Sequence, residues 1–183
     1  RVKEVETEIK CFLSRESEAS TLMNLLRNNE LPLRVTHNDT KLNNVMLRQR
    51  DHSPLCVIDL DTVMPGLVAN DFGDSIRFGA STAAEDEKNL DNVSLSLDLY
   101  RSYTEGFLCA CGSRLSTREI ETLPMGAKLM TLECGVRFLT DYINGDVYFH
   151  TAYPEHNLVR CRTQIKLLEE TEEKWNIIKS LFC

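Results

Sequence analysis

The stretch Val35-Thr36-His37-Asn38-Asp39-Thr40-Lys41-Leu42-Asn43-Asn44 contains the pattern His-x-Asp-x-x-x-x-Asn. Twenty residues beyond Asp39 stands Asp59, directly after the apolar run Leu55-Cys56-Val57-Ile58. A carboxylate, an amide and a second carboxylate in this order fit the template of phosphoryl transfer. One Asp accepts the proton of a substrate hydroxyl, an Asn five residues later holds Mg²⁺, and an Asp after a hairpin holds Mg²⁺ too. The spacing has a physical reason: a tight loop can turn Asp39 towards an acceptor and Asn44 towards phosphates, while a hairpin returns Asp59 to the same metal. Neutralising charged phosphates is most of the catalysis, so oxygen ligands for a hard cation are what such a site needs. Lys41 lies inside the loop, where a cation can stabilise charge on the transferring group; an ordinary surface lysine is the alternative. His37 suits a hydrogen-bonding anchor of the loop better than a base. The plainer reading of the segment is a polar turn beside a hairpin, with Asp39 and Asn44 serving backbone groups. Three ligand types in the right order favour the chemical reading.

Asp71-Phe72-Gly73 spells a kinase metal motif letter for letter, but it lies 27 residues after Asn44 and follows no strand. Asp59 lies 15 residues after Asn44, at the end of a strand. The metal is therefore assigned to Asn44 and Asp59, while Asp71 and Asp74 brace the loop or cap a helix starting near Ser75. Arg77 reads as a buried charge pinning Asp71 or Asp74.

The elements that must position these groups can be read from periodicity. Residues 1–29 read as one helix, with Val2, Val5, Ile9, Phe12 and Leu13 near helical spacing. Leu33 to Val35 is short and extended. Val45–Leu47 and Leu55–Ile58 are brief strands joined by the polar run 48–54, which predicts a hairpin. A loop with Pro65 and Gly66 follows. From there the pattern is helical. One helix covers Val93 to Cys111 and stops at Gly112. Ser116-Thr117-Arg118-Glu119 has capping-box form. Pro124 is expected to start another helix ending at Gly145. Asn157 is expected to cap a last helix reaching Phe182.

With 183 residues, 42% of them apolar, the chain suits one domain or one large lobe. The net charge of −7 argues against a nucleic-acid partner. No run of eighteen apolar residues predicts a membrane span, and the charged start at Arg1 is no signal peptide. The seven cysteines are scattered and match no zinc spacing; they read as reduced core residues, which implies a cytoplasmic setting. His150 and His156, with Asp146 and Glu155, fit no standard metal spacing. Tyr148, Phe149 and Tyr153 form the richest aromatic patch, suited to sugar stacking or to core packing. Arg160 and Arg162 could meet an acceptor or the acidic loop.

Three segments together carry a family resemblance: His37 to Asn44, Val57-Ile58-Asp59-Leu60-Asp61-Thr62-Val63-Met64-Pro65, and Asp71-Phe72-Gly73-Asp74-Ser75-Ile76-Arg77-Phe78-Gly79. They resemble the aminoglycoside phosphotransferase and choline kinase family. The similarity is greatest to the branch containing N-acetylhexosamine 1-kinases, which the tail Pro154 to Gln164 also resembles. The resemblance implies an α+β, mostly α fold: the C-terminal lobe of a protein-kinase-like enzyme, helical with a small β-hairpin at the catalytic loop. It implies one catalytic lobe over 1–183, with a leading helix over 1–29, catalytic and metal-binding loops over 35–80 and a helical subdomain over 93–183. Asp39 would be the base, with Lys41 beside it in the catalytic loop; Asn44 and Asp59 would hold Mg²⁺ and with it ATP. The acceptor would be a small molecule, an amino sugar first, with an aminoglycoside, choline or another small alcohol as alternatives. A non-catalytic binding module is the competing class. The family's N-terminal lobe, with its glycine-rich loop and strand lysine, is expected to be absent: no two of the eight glycines stand close enough, and 36 residues before His37 cannot hold a five-stranded lobe. These residues alone are therefore expected to bind Mg-ATP poorly and turn over negligibly.

Overall fold

The structure is a computed structural model that describes residues 1–182. Three short helices open the chain: α1 (Glu6–Leu13), α2 (Glu16–Ala19) and α3 (Thr21–Arg27). The single helix expected over 1–29 is thus broken. Ser14 Oγ and Arg15 Nη1 both donate to the Cys11 carbonyl, at 2.8 and 2.7 Å. Side chains there take over an acceptor that a continuing helix would use, a competition that polar residues often win.

Four short strands follow: β1 (Arg34–Thr36), β2 (Val45–Leu47), β3 (Pro54–Val57) and β4 (Met64–Gly66). The predicted hairpin is β2–β3, with Val45 opposite Val57. The segment with Pro65 and Gly66, expected as a loop, pairs antiparallel with β1, Arg34 opposite Gly66 and Thr36 opposite Met64. Pro65 is tolerated because a two-stranded sheet has only edge strands.

The remaining helices are α4 (Val68–Gly79), α5 (Leu97–Cys111), α6 (Thr117–Asn144), α7 (His156–Glu173) and α8 (Trp175–Ser180). Helix α4 starts at Val68, not near Ser75, so Asp71 and Asp74 lie within it rather than at its cap. Helix α5 begins at Leu97, where Ser96 caps it; Val93 and Leu95 are buried in the loop before it. The Ser116–Glu119 capping box forms and starts α6, but Pro124 lies inside that helix instead of starting a new one. A proline there removes one N–H. Burial of Leu123, Pro124 and Ala127 carries the helix through it. Asn157 is not a cap either. Glu155 holds the N-cap position at φ 66°, while Asn157 is fully buried and donates to Asp141 and Asp146 at 2.8 and 3.0 Å. The last helix divides at Lys174, whose ammonium reaches back to the Leu95 carbonyl at 2.8 Å.

Two apolar clusters hold these elements. Phe72, Tyr100, Leu123 and Ile178 centre the first; Val5, Phe138, Leu158 and Leu168 belong to the second. Between them α4 and α6 touch backbone to backbone. A Cβ at Gly126 would sit 1.9 Å from the Ala69 carbonyl oxygen, and one at Gly73 would sit 2.3 Å from that of Gly126. Only glycine permits this approach. The cysteines divide: Cys161 is buried as expected, whereas Cys56, on the exposed strand β3, and Cys109, on α5, are exposed. Among the described residues no helix is long and apolar enough to cross a membrane.

Candidate active site

The loop after β1 is held from two sides. From α4, Asp71 accepts the His37 and Asn38 backbone N–H groups, both at 2.8 Å. The Thr40 hydroxyl donates to the Asp71 carbonyl at 2.5 Å, and the Ser75 hydroxyl donates to the Thr40 carbonyl at 2.9 Å. From the turn at residues 60–62, the Thr62 hydroxyl donates to the His37 carbonyl at 2.6 Å, and Asn38 Nδ2 donates to the Thr62 carbonyl at 3.0 Å. The chain needs this grip because Asn38 and Asp59 both adopt left-handed conformations, φ 63° each, which Asn and Asp tolerate better than other side chains. His37 Nε2 lies 3.0 Å from the Ile58 carbonyl, so it carries the proton and donates. The imidazole thereby ties the loop after β1 to the residue before Asp59.

Asp71-Phe72-Gly73 now has a structural account for each letter. Asp71 braces the loop, Phe72 is wholly buried among Tyr100, Tyr103, Phe107 and Phe182, and Gly73 makes the helix crossing. Burial pushes the Asp71 carboxyl up from its ordinary range, opposed by the two N–H groups it accepts.

Asp39, Lys41 and Asn44 converge. Lys41 Nζ is 2.8 Å and Asn44 Nδ2 2.7 Å from Asp39 Oδ2. Burial, the largest influence, pushes the Asp39 carboxyl up; the Lys41 and Asn44 bonds together with the charges of Lys41 and His37 outweigh it and leave the net shift downward. Asp39 is therefore a carboxylate near neutrality. Both donors use Oδ2, so Oδ1 receives no hydrogen bond from a described residue and is the atom available to a substrate hydroxyl.

Asn44 is buried, and with Nδ2 committed to Asp39 its Oδ1 is the atom left to ligate. The Ile58 N–H donates to the Asn44 carbonyl at 2.9 Å, continuing the β2–β3 ladder and bringing Asp59 alongside the loop. Asp59 is exposed and forms no hydrogen bond or ion pair with a described residue. One free amide oxygen and one free carboxylate suit Mg²⁺, which takes a few protein oxygens and completes its shell with water and phosphate.

Asp39 and Lys41 stand between two clefts. One, about 590 Å³, is mostly apolar and includes Asn44, Val45, Val57, Ile76, Leu99 and Tyr103. The other, about 530 Å³, is charged and aromatic and runs along α4, α6 and the start of α7 past Arg77, Glu85, Glu133, Arg137, Tyr148 and Arg160. Arg77 is buried and bonds Asp74 at 3.0 Å and Glu85 at 2.7 Å. His156 donates to Asp86 at 3.2 Å and accepts from the Ala152 N–H, while the His150 carbonyl accepts from Arg160.

A family model described as the phosphotransferase enzyme family matches residues 6–103, more than half of the chain. The chain belongs to the phosphotransferase enzyme family. The matched segment holds the whole 37–62 loop system, α4 and the start of α5. In this phosphotransferase, the structure brings Asp39, Lys41 and Asn44 into direct contact, whereas Asp59, exposed after β3, joins neither that cluster nor the lining of the two clefts. It turns Arg160 into the second cleft and Arg162 away, onto Glu8 at 2.7 Å. Of the aromatic patch, Tyr148 and Phe149 line that cleft, while Tyr153 stacks on His156. Sequence reasoning passed over Thr62, Glu85, Glu133 and Arg137, and took Ser75 only as a helix start. Thr62 lies within a quoted motif and its hydroxyl was a usable signal; Glu85, Glu133 and Arg137 carry no local pattern.

Proposed function

We propose that this phosphotransferase moves a phosphoryl group from ATP to a hydroxyl of a small molecule, an N-acetylhexosamine first, as a sugar 1-kinase. The observation that carries the reading is the Asp39 carboxylate, held down by its neighbours, with no hydrogen bond on Oδ1 and lining both clefts. Asp39 Oδ1 orients the acceptor hydroxyl and takes its proton as the oxygen bonds to phosphorus. A base held below the ordinary carboxylate range suits a loose transition state, in which the proton leaves late and positioning matters most. Lys41 holds Asp39 in its rotamer and places positive charge beside the reacting oxygen. His37 and Asp71 keep the loop in register. Mg²⁺, held through Asn44 Oδ1 and Asp59, would neutralise charge on the phosphates. The charged and aromatic cleft has the mixture of donors, acceptors and ring faces that a sugar uses, which supports a sugar over choline.

The proposal includes the kinase-like lobe described above, with an N-terminal lobe as partner in gripping ATP and the cytoplasm as the setting. The test is ATP-dependent phosphorylation of N-acetylglucosamine and N-acetylgalactosamine by the full-length protein. A general base contributes about 10²–10⁴-fold, so Asp39→Ala should lose turnover on that scale. Near-normal turnover in that variant sinks the assignment; wild-type turnover confined to aminoglycosides or choline replaces the acceptor.

A further inference from the structure

The loop between α6 and α7 contributes Tyr148 and Phe149 to the wall of the charged and aromatic cleft. Gly145 and Asp146, at φ 98° and 61°, turn this loop back over the end of α6. There it meets Asp141, which is buried in the last turn of that helix. Three consecutive backbone N–H groups converge on its carboxylate. Val147 and Tyr148 donate to Oδ1 at 3.0 and 2.8 Å, and Phe149 donates to Oδ2 at 3.0 Å. Asn157 Nδ2 also donates to Oδ2, at 2.8 Å, and so ties in the first turn of α7. Burial pushes the Asp141 carboxyl up, but these four donors outweigh it and hold it below its ordinary range.

Two observations set this grip apart from ordinary bracing. A negative charge in the last turn of a helix opposes the helix dipole, so the position does nothing for α6 itself. Fixing the loop also buries little: Val147 and Tyr148 remain 78% and 73% exposed, and of the three residues Phe149 alone packs inward, on Phe138 at 4.8 Å between ring centres. What the grip fixes is an open aromatic wall. Tyr148 stands edge-to-face on Phe149, 4.8 Å between centres, with the Arg137 guanidinium 5.8 Å from its ring.

We infer that Asp141 is a positioning residue for the acceptor, acting through the backbone of residues 147–149 to hold the Tyr148–Phe149 wall in the shape that receives it. A wall set in its bound shape beforehand lowers the ordering cost of association, which for two aromatic side chains corresponds to about 10-fold in affinity. The inference rests on the phosphotransfer reading for the cleft as the acceptor side, and it is independent of the acceptor's class.

The test is steady-state kinetics of the full-length protein with ATP and N-acetylglucosamine, or with an aminoglycoside or choline where the wild type turns over only those. Wild type, Asp141→Asn, Tyr148→Ala and the double variant are compared, and amide hydrogen exchange is followed in the wild type and Asp141→Asn. Asn keeps the shape of the side chain but sets an NH₂ against two of the donors. Asp141→Asn should raise the acceptor KM about 10-fold, with kcat and the ATP KM within about 2-fold. The amides of 147–149 should lose protection while those of 37–44 keep theirs. Tyr148→Ala should raise the acceptor KM too, and the double variant should do little worse than the more affected single one, because both changes act on one wall. A brace of the whole lobe would move kcat, both KM values and the 37–44 amides together, and that result overturns the inference. So does an acceptor KM that stays put while 147–149 lose protection, or a double variant whose effects add. If Asp141→Asn does not fold, Tyr148→Ala, a change at an exposed side chain, carries the test, and an unmoved acceptor KM there overturns it. Wild-type turnover with an unmoved acceptor KM in the variants strikes this inference alone. A wild type that phosphorylates none of these acceptors strikes the phosphotransfer reading and takes this inference with it.

Discussion

Replacing Asp71 by Asn is the substitution that best separates a brace from a metal ligand. Both carboxylate oxygens of Asp71 accept backbone N–H groups, from His37 and Asn38 at 2.8 Å each. Asn keeps the shape but offers one acceptor oxygen; its NH₂ would face the second N–H, donor against donor. Leaving one partly buried N–H unmatched costs about 1–3 kcal/mol. For a chain of this size each kcal/mol moves the melting temperature by roughly 2–4 °C, so a central loss of about 2 kcal/mol predicts a fall of roughly 4–8 °C. Asp59→Asn is the matched comparison. Asp59 is exposed and without a partner among the described residues, so its replacement should change stability by no more than about 0.5 kcal/mol. The Mg²⁺ concentration needed for half-maximal turnover should respond in the opposite sense: raised in Asp59→Asn and unchanged in Asp71→Asn, apart from lower overall activity. Urea denaturation and a Mg²⁺ titration of turnover read both effects. An Asp71→Asn protein with an unaltered unfolding midpoint and a raised Mg²⁺ requirement would refute the reasoning and move the metal to Asp71.

Two further outcomes are expected. Glu170 accepts from Lys174, the Ser94 hydroxyl and the Leu95 N–H, at 2.5, 2.7 and 2.7 Å. Burial alone would raise its carboxyl, but these bonds hold it down at about 2. A depressed folded value means the stabilisation is complete above the ordinary range near 4.5 and drains away as pH falls towards 2. The melting temperature of Glu170→Gln, measured from pH 6 to about pH 2, should therefore start lower and fall less steeply than that of the wild type; parallel curves would remove Glu170 as the source. At the helix crossing, Gly126→Ala puts a Cβ 1.9 Å from the Ala69 oxygen and should destabilise by about 1–3 kcal/mol or more, whereas Gly79→Ala, with nothing within 4 Å, should stay within about 0.5 kcal/mol. Equal urea midpoints for the two variants would show that α4 and α6 separate easily.

The parts of the site that were legible in the sequence are those whose spacing is itself the chemistry. Asp39 and Asn44 lie five residues apart because one turn must present both, and Val57 precedes Asp59 by two because a strand delivers it; such local constraints survive in one dimension. Asp71 was separable from Asn44 and Asp59 because it does not end a strand: β4 stops at Gly66 and Asp71 lies inside α4. What escaped was set by long-range packing. Pro65 and Gly66 look like a turn until β1 supplies a partner, and Pro124 looks like a helix start until the buried face of α6 carries it. Residues 1–29 have a helical period, but the hydroxyl of Ser14 and the guanidinium of Arg15 compete for a backbone carbonyl, and hydrophobic spacing does not register that. The charged cleft draws on residues from 38 to 160, and no window of sequence contains it.

With the charged cleft as the acceptor side, as proposed above, the glycine crossing bears on how the acceptor range could be altered. Asp74, Arg77 and Phe78 stand on α4, and Met130, Glu133 and Arg137 on α6, on opposing sides of the same cleft. Because main chain meets main chain at Gly73 and Gly126, the gap between those walls is set by backbone contact, with no side chain acting as a spacer that could be trimmed. Shortening cleft residues would create room locally but would not let the walls draw together or spread. A bulkier acceptor would have to be accommodated by the third wall, where Tyr148, Phe149 and Arg160 come from the α6–α7 loop and the start of α7. Diversification aimed at new acceptors therefore belongs first in residues 146–160.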